Sequence, residues 1–408
     1  MKHSTTLLWS GYLSLALSLL TAATVVAASD RMTLYGFGTL AMACFDNSEA
    51  DFRHNSLSEG PGRSRRCDAE LDSKAGAQLN YRVSPTIEGS LQAALSKKSD
   101  NDFAPTVTIA SLLYTPSPAW NFTLGRYQNP NLIHSASRLV TYTQPWVRPP
   151  REVYGAIPVY DVDGVEVSYH ADLGGVSLES RFGIYTSEEI LNINEEPIEA
   201  SVDKNIFVNF TGFYNNITLQ MGLISGATTA EPAAITALVT TLSQLGYHGL
   251  AEEMSHQEAD SLYLYGGFIY ESGQWLLTGE MIHSEFDSYL SGTDGTYLTV
   301  GRYLDKWLLH LTWGWRERAG RDISAQVTQP PLAASLEGVR SASSIAHDTL
   351  VLGVNYSLSE QMILKSQLDW IRPRAGDAGA SYVNHSSAYN RDDPGRDLLF
   401  TIALDFII

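Results

Sequence analysis

The chain has 408 residues, 44% of them hydrophobic and 18% charged, with a formal net charge of −18. That hydrophobic share excludes a disordered polymer, and the acidic balance excludes a nucleic-acid binder built on net positive charge. At about 150 residues per soluble domain the length suggests two or three domains, but closed barrels grow as one unit and escape that estimate.

Residues 1–28 read as an export signal. Met1, Lys2 and His3 make a short basic start, Leu7 to Ala28 is uncharged, and the small residues Val26 and Ala28 precede a cleavage point before Ser29. The alternative is an uncleaved membrane anchor, which fits less well with the scattered Ser and Thr and the small-residue close. Cleavage removes one lysine and no acid, leaving 26 basic against 45 acidic residues, a charge of −19. After it, no window supplies the roughly 20 apolar residues of a membrane helix.

From residue 30 onward the hydrophobicity alternates with period two, the period of a strand with two unlike faces. The first strand is Leu34-Tyr35-Gly36-Phe37-Gly38-Thr39-Leu40. Cys44 and Cys67 follow, 23 positions apart in a polar segment. In an oxidising compartment they read as one disulfide, with free thiols or a metal pair as alternatives. Between Leu71 and Val83, one parity holds Leu71, Ala75, Ala77, Leu79 and Tyr81, and the other holds Asp72, Lys74, Gln78, Asn80 and Arg82. Ile87, Leu91 and Leu95 oppose Glu88, Gln92 and Ser96 in the same way. Trp120-Asn121-Phe122-Thr123-Leu124-Gly125-Arg126 leads into a long segment, Tyr127 to Pro158. Later, Trp307, Leu309, Leu311 and Trp313 oppose His310, Thr312 and Arg316, and the chain closes with Phe400, Ile402, Leu404, Phe406 and Ile408 opposing Thr401 and Asp405.

Sixteen such strands of about 9 to 13 residues are counted, a length suited to a tilted bilayer crossing. Seven short turns, at Ser84-Pro85, Thr115 to Pro118, Leu173 to Gly175, Asn215-Asn216, Ser272-Gly273, Leu304 to Lys306 and Ser357 to Glu360, alternate with eight other links, mostly far longer. Sixteen antiparallel strands with both ends on one side require that division. The expectation is an all-β, sixteen-stranded antiparallel transmembrane β-barrel, with residues 29–408 as one domain.

On these residues the chain resembles the Gram-negative outer-membrane porin superfamily, in particular its sixteen-stranded general porins. The resemblance spans nearly the whole mature chain and rests most on the strands at 34–40 and 120–126 and the long third loop. It implies that this loop folds into the lumen and narrows it, and that three copies assemble. The ending Phe406-Ile407-Ile408 departs from the terminal Phe usual in porins.

Inside a narrowed lumen, fixed guanidinium groups favour anions. The expected constriction residues are Arg138, Arg148, Arg151 and Glu152, beside the stiff run Gln144-Pro145-Trp146-Val147-Arg148-Pro149-Pro150. The alternative is that the arginines only brace the loop against wall acids such as Glu88, Glu166 and Glu179. Expected pore-wall residues are Lys74, Gln78, Glu179, Arg181, Lys365 and Asp369.

A second insert, Glu231 to Met254, contains a helix-like run from Ala233 to Leu242. His248, Glu252 and His256 recur every four residues, a spacing able to hold a metal on one helical face, with solvated side chains as the plainer reading. Outer acids such as Asp46, Glu49, Asp51, Glu59, Asp392 and Asp393 offer either divalent-ion sites among lipopolysaccharide phosphates or a solvated rim. No Gly-x-Ser-x-Gly, His-Glu-x-x-His or Gly-Lys-Ser/Thr motif occurs. The expected function is passive diffusion of ions and small hydrophilic solutes across the outer membrane, without catalysis, cofactor or resident metal. A substrate-selective channel and a non-conducting adhesive barrel are the alternatives. Expected partners are outer-membrane lipid, lipopolysaccharide and the solutes.

Overall fold

The computed structural model describes residues 30–54, 59–98, 103–157, 159–193, 196–290, 292–319, 327, 329–343, 345–374, 382–390 and 393–408. The export signal expected at 1–28, and Asp392, lie outside these residues. Sixteen long strands form the wall: β1 (Met32–Phe45), β2 (Lys74–Ser84), β3 (Ile87–Lys97), β4 (Phe103–Ser117), β5 (Trp120–Gln128), β6 (Asp161–Leu173), β7 (Val176–Ile193) and β8 (Glu196–Tyr214) make one half. The other half is β9 (Ile217–Thr229), β10 (Ala259–Ser272), β11 (Trp275–Phe286), β12 (Gly292–Leu304), β13 (Trp307–Ala319), β14 (His347–Ser359), β15 (Met362–Pro373) and β16 (Asp397–Ile407).

Every neighbouring pair is antiparallel, and β1 closes the ring. Met32 lies opposite Tyr81 of β2, while Phe37 lies opposite Ile407 of β16. The terminal Ile408 extends this seam through backbone hydrogen bonds to Gly36 of 2.8 and 3.0 Å. Closure leaves no strand edge with unpaired backbone groups, which a bilayer would not tolerate.

The alternation in sequence becomes an outside and an inside. On β13, Trp307, Leu309, Leu311 and Trp313 are exposed outward, while His310, Thr312 and Arg316 are buried inward. On β16, Phe400 and Ile402 point out, and Thr401 and Asp405 point in. All seven short turns have two residues between the strands they join. Gly174, Asn215, Gly273 and Asp305 start four of them with φ between 50° and 59°, the left-handed geometry that matches strand twist in tight hairpins. Beside the turns, outward aromatics pair: Trp120 with Tyr169 at 4.7 Å and Trp307 with Tyr356 at 4.4 Å, an arrangement typical of a membrane interface.

One expectation is corrected. Strand lengths run from 9 residues in β5 to 19 in β8, because the β7–β8 ladder continues to the pair Ile193 and Glu196, farther than a bilayer crossing needs. Of the eight other links five are long, in line with the expectation that most are, and those at 98–102, 194–195 and 287–291 are short.

Among the described residues the long links carry four α-helices, α1 (Arg151–Tyr154), α2 (Ala233–Gln244), α3 (His248–Met254) and α4 (Pro330–Ser343). Ile235 and Leu242 of α2, Leu250 and Met254 of α3, and Leu332 and Leu336 of α4 pack with Tyr289 into one apolar cluster. The period of α4 is absent from the sequence expectations. The first and last long links join through short strands at Asp51–Arg53, Glu59–Gly62 and Tyr382–Val383.

Candidate functional site

The link between β5 and β6 holds the only cations and acid first considered for a constriction, and its partners show where it runs. They are side chains on the face of the strands opposite the exposed apolar band. Trp146 donates its indole N–H to Thr312 at 2.9 Å, and the Val147 N–H meets Gln367 at 2.8 Å. Lys365 donates to the carbonyls of Thr141, Gln144 and Trp146 at 2.6, 2.7 and 3.0 Å, and lies 2.8 Å from Asp405. On another arc, Glu280 of β11 accepts from the Ile133 N–H at 2.8 Å, from Tyr297 at 2.7 Å and from Tyr154.

Arg148 is the segment's strongest tie. Its guanidinium donates to Asp72, two residues before β2, to Asp369 of β15 at 2.8 Å and to Thr401 of β16 at 3.0 Å. A planar fork with five donors suits such a three-way contact better than a lysine would. Pro149 and Pro150 then lead into α1, whose Arg151 donates to the Arg53 carbonyl at 3.1 Å. His347 Nε2 lies 3.1 Å from both Arg151 Nε and Glu152 Oε1, and Thr349 donates to the same Glu152 oxygen. Burial by itself would raise the Glu152 carboxyl, but hydrogen bonds from His347 and Thr349, with Arg151 nearby, outweigh it and hold the group at about 2. Glycine makes this docking possible. A Cβ on Gly314 would stand 2.7 Å from Glu152 Oε2, and none exists there.

Between this segment and strands β2 to β8 lies a cavity of about 800 Å³ on the side of the long links. Its charged border is mixed: Lys74, Lys97, Lys98, Arg126, Arg138 and Arg148 against Asp72, Asp161, Asp163, Glu188, Glu189 and Glu199. A second cavity of about 230 Å³ opens among the short turns, bordered by Tyr142, Glu271, Asp305 and Lys306.

No protein-family model matches the chain, and a search among curated proteins finds no similar sequence. Solved structures do match. The outer membrane channel DcaP of Acinetobacter baumannii aligns with a TM-score of 0.56 at 10% identity, over 93% of this chain and 99% of that one. Salmonella typhi OmpF, solved in complex with daunomycin, gives 0.55 at 10% identity, over 92% and 97%. The anion-selective porin from Comamonas acidovorans gives 0.52 at 11%, over 92% and 99%. The chain has the porin fold.

Within this porin barrel the expected site residues separate into three groups. Arg138, Arg148 and Lys74 border the large cavity. Arg138 pairs with Asp161 at 3.3 Å and lies over the Tyr160 ring, while Lys74 donates to the Arg138 carbonyl at 3.3 Å. Gln78, Glu179 and Arg181 face inward on the β2–β7 arc. There Gln78 bonds Asn80 and Gln92, Arg181 grips Glu166 through two bonds of 2.9 and 2.7 Å, and Glu179 lies 4.0 Å from His170. Arg151, Glu152, Lys365 and Asp369 are buried between the segment and the wall.

The bracing partners differ from those expected. Glu166 is engaged by Arg181, on the neighbouring strand of the same face, so the segment's arginines take Asp72, Asp161 and Asp369 instead. Asp72 and Asp405 already stood on the inward parity in sequence; Glu280, His347 and Thr349 carried no local signal linking them to a loop more than a hundred residues away.

Cys44 and Cys67 are joined by a disulfide, across a register pair between β1 and Cys67–Asp68. The histidine triad does not form. His248 and Glu252 are exposed on α3, whereas His256 lies beyond the helix end, buried, bonded to Thr228 at 2.9 Å and Ser288 at 2.5 Å. Among the described residues no group of three or more His, Cys, Asp or Glu is placed to hold a metal.

Proposed function

We propose that this protein is an outer-membrane porin through which ions and small hydrophilic solutes diffuse passively. The observation that supports it most is the two-faced closed wall, apolar and exposed outside, polar inside, around a cavity of about 800 Å³ bordered by charged side chains. In this reading the long links face outward, and both chain ends and the short turns face the periplasm. The chain reaches the membrane through an export signal at residues 1–28, is held there by lipid and lipopolysaccharide, and assembles as a trimer. It acts as a channel, not an enzyme, with no cofactor and no nucleic-acid partner.

The constriction lies where Arg138, Arg148 and Lys74 border the large cavity. Six cations and six acids border that cavity, so selectivity between anions and cations is weak. The test is planar-bilayer recording of the purified, folded protein. Stepwise currents that scale with salt concentration are the expected result. Folded protein that inserts without current would sink the channel reading and leave an adhesive barrel. Orientation is read separately, by labelling cysteines introduced in 230–254 or at Ser84 and Asn216 on intact cells; only the first group should react.

A further inference from the structure

Behind α1 the barrel keeps a smaller cavity of about 150 Å³ that the diffusion path does not require. Its walls are mixed: one side is apolar, with Ala156 and Val159 from the β5–β6 link, Val202 from β8 and Phe286 from β11, and the other carries polar groups such as Glu189, His256 and Thr293. Two arginines of β13 line it: Arg318, which is half-buried and already engaged with other groups, and Arg316. Arg316 borders this cavity and is itself only 7% exposed.

The guanidinium of Arg316 is poorly satisfied for so buried a charge. One terminal nitrogen donates to the Thr293 hydroxyl at 3.2 Å, the other reaches the Arg151 carbonyl at 3.5 Å, and Nε has no partner. Among the described residues no carboxylate forms an ion pair with it. Glu152, on the neighbouring turn, gives Oε1 to His347 and Thr349. Arg148, by contrast, is equally buried and has two carboxylates. Glu152 offsets part of this buried charge without pairing with it and Arg151 adds repulsion, so a bound anion lowers the cost that remains.

We propose that this cavity is a binding subsite for a small apolar monocarboxylate, its carboxylate on Arg316 and its hydrocarbon body against Val159, Val202 and Phe286. Size, charge and access agree. A space of roughly 150 Å³ accommodates a benzene-sized ring, and its apolar side supplies the surface for one. One unpaired guanidinium matches one carboxylate, with fork geometry that an alcohol does not exploit. Ser187, Glu189, Ala200, Ser201 and Thr229 border both this cavity and the large one, so the subsite opens from the large cavity. Glu189 at that shared rim disfavours a second negative charge on the ligand. The inference rests on the channel reading for how the ligand arrives, but binding itself is independent of conduction.

The probes are benzoate and benzyl alcohol, titrated calorimetrically into the folded, detergent-solubilised protein. Benzoate should saturate at one site and bind roughly tenfold or more tightly than benzyl alcohol, as a charge-assisted pair requires. Arg316→Met should remove that preference. Val159→Trp fills the cavity from the link, leaves Arg316 in place, and should abolish binding of both probes, so the idea stays exposed even if the arginine variant does not fold. Equal affinity for the two probes, absence of saturation, a benzoate preference that survives Arg316→Met, or binding that survives Val159→Trp would overturn the subsite. Bilayer recording on the same preparation separates the two readings: current without benzoate saturation removes the subsite only, and saturation without current removes the channel only.

Discussion

Arg148 and Asp369 meet at 2.8 Å across 221 positions of sequence, and the same guanidinium also holds Asp72 on the far side of the β1–β16 seam. The β5–β6 link is therefore fastened to the end of the β1–β2 link and to β15 through one side chain. Removing it leaves two carboxylates buried together without a cation. Arg148→Ala should destabilise this part of the barrel by about 3–5 kcal/mol, the usual consequence of breaking a buried pair from one side. The check is the midpoint of thermal unfolding in detergent. Arg148→Lys should recover only part of the loss, since an ammonium cannot reproduce the planar fork.

The wall was largely legible in sequence, and the interior only in part. Residues such as Trp307, Leu309, Leu311 and Trp313 declare their face because strand geometry repeats every two residues and one face of the wall is apolar. The turns at Gly174 and Asn215 declare themselves through the φ they must adopt. Arg148 could be named as a lumen-side cation, but not its partners, because Asp72 and Asp369 reach it only after the barrel has closed. Lys365 has the same history: read as a wall residue from its parity, it proves to be fully buried under three backbone carbonyls. The vacancy beside Arg316 has no sequence signature, since it depends on how β8, β10, β11 and α1 pack.

The Cys44–Cys67 bridge closes a separation of 23 residues in the first long link. By the loss of chain entropy in the unfolded state, a loop of that length stabilises the fold by about 3 kcal/mol. Mass spectrometry of natively extracted protein should find no free thiol, and a reductant should lower the thermal midpoint in detergent. Two free thiols in oxidised protein would remove the bridge, and an unchanged midpoint after reduction would show that the link is held by other contacts, such as Phe45 against Phe52 and Tyr382.

His256 gives the link at 230–258 a pH dependence with a definite sign. Its imidazole is buried between Thr228 and Ser288, and burial lowers its pKa from 6.5 to about 4. Between those values the unfolded chain binds a proton that the folded one does not, so stability is complete above about pH 6.5 and declines as pH falls toward 4. Hydrogen exchange in residues 230–258 should therefore accelerate between pH 7 and pH 4.5. His256→Gln, which keeps hydrogen-bonding capacity without titrating, should flatten that difference. Equal acceleration in the variant would assign the pH response to other groups.

Under the proposed channel reading, ion selectivity should distinguish the two nearby arginines of the link, Arg148 and Arg151. Charge on outer surfaces is screened within about 8 Å in physiological salt, so the overall acidity of the protein governs the ion path less than groups bordering it. Arg148 borders the large cavity together with Asp72, whereas Arg151 is buried against His347 and the Arg53 carbonyl and does not border it. Arg148→Gln would leave Asp72 and Asp369 without their cation at the cavity wall, and the reversal potential in a KCl gradient should move toward cations. Arg151→Gln should move it much less, because the removed charge lies behind the wall of the path. These measurements require variants that retain the folded barrel, read from heat-modifiable migration on gels. A shift of equal size for both, or none for Arg148→Gln, would place the ion path elsewhere in the barrel.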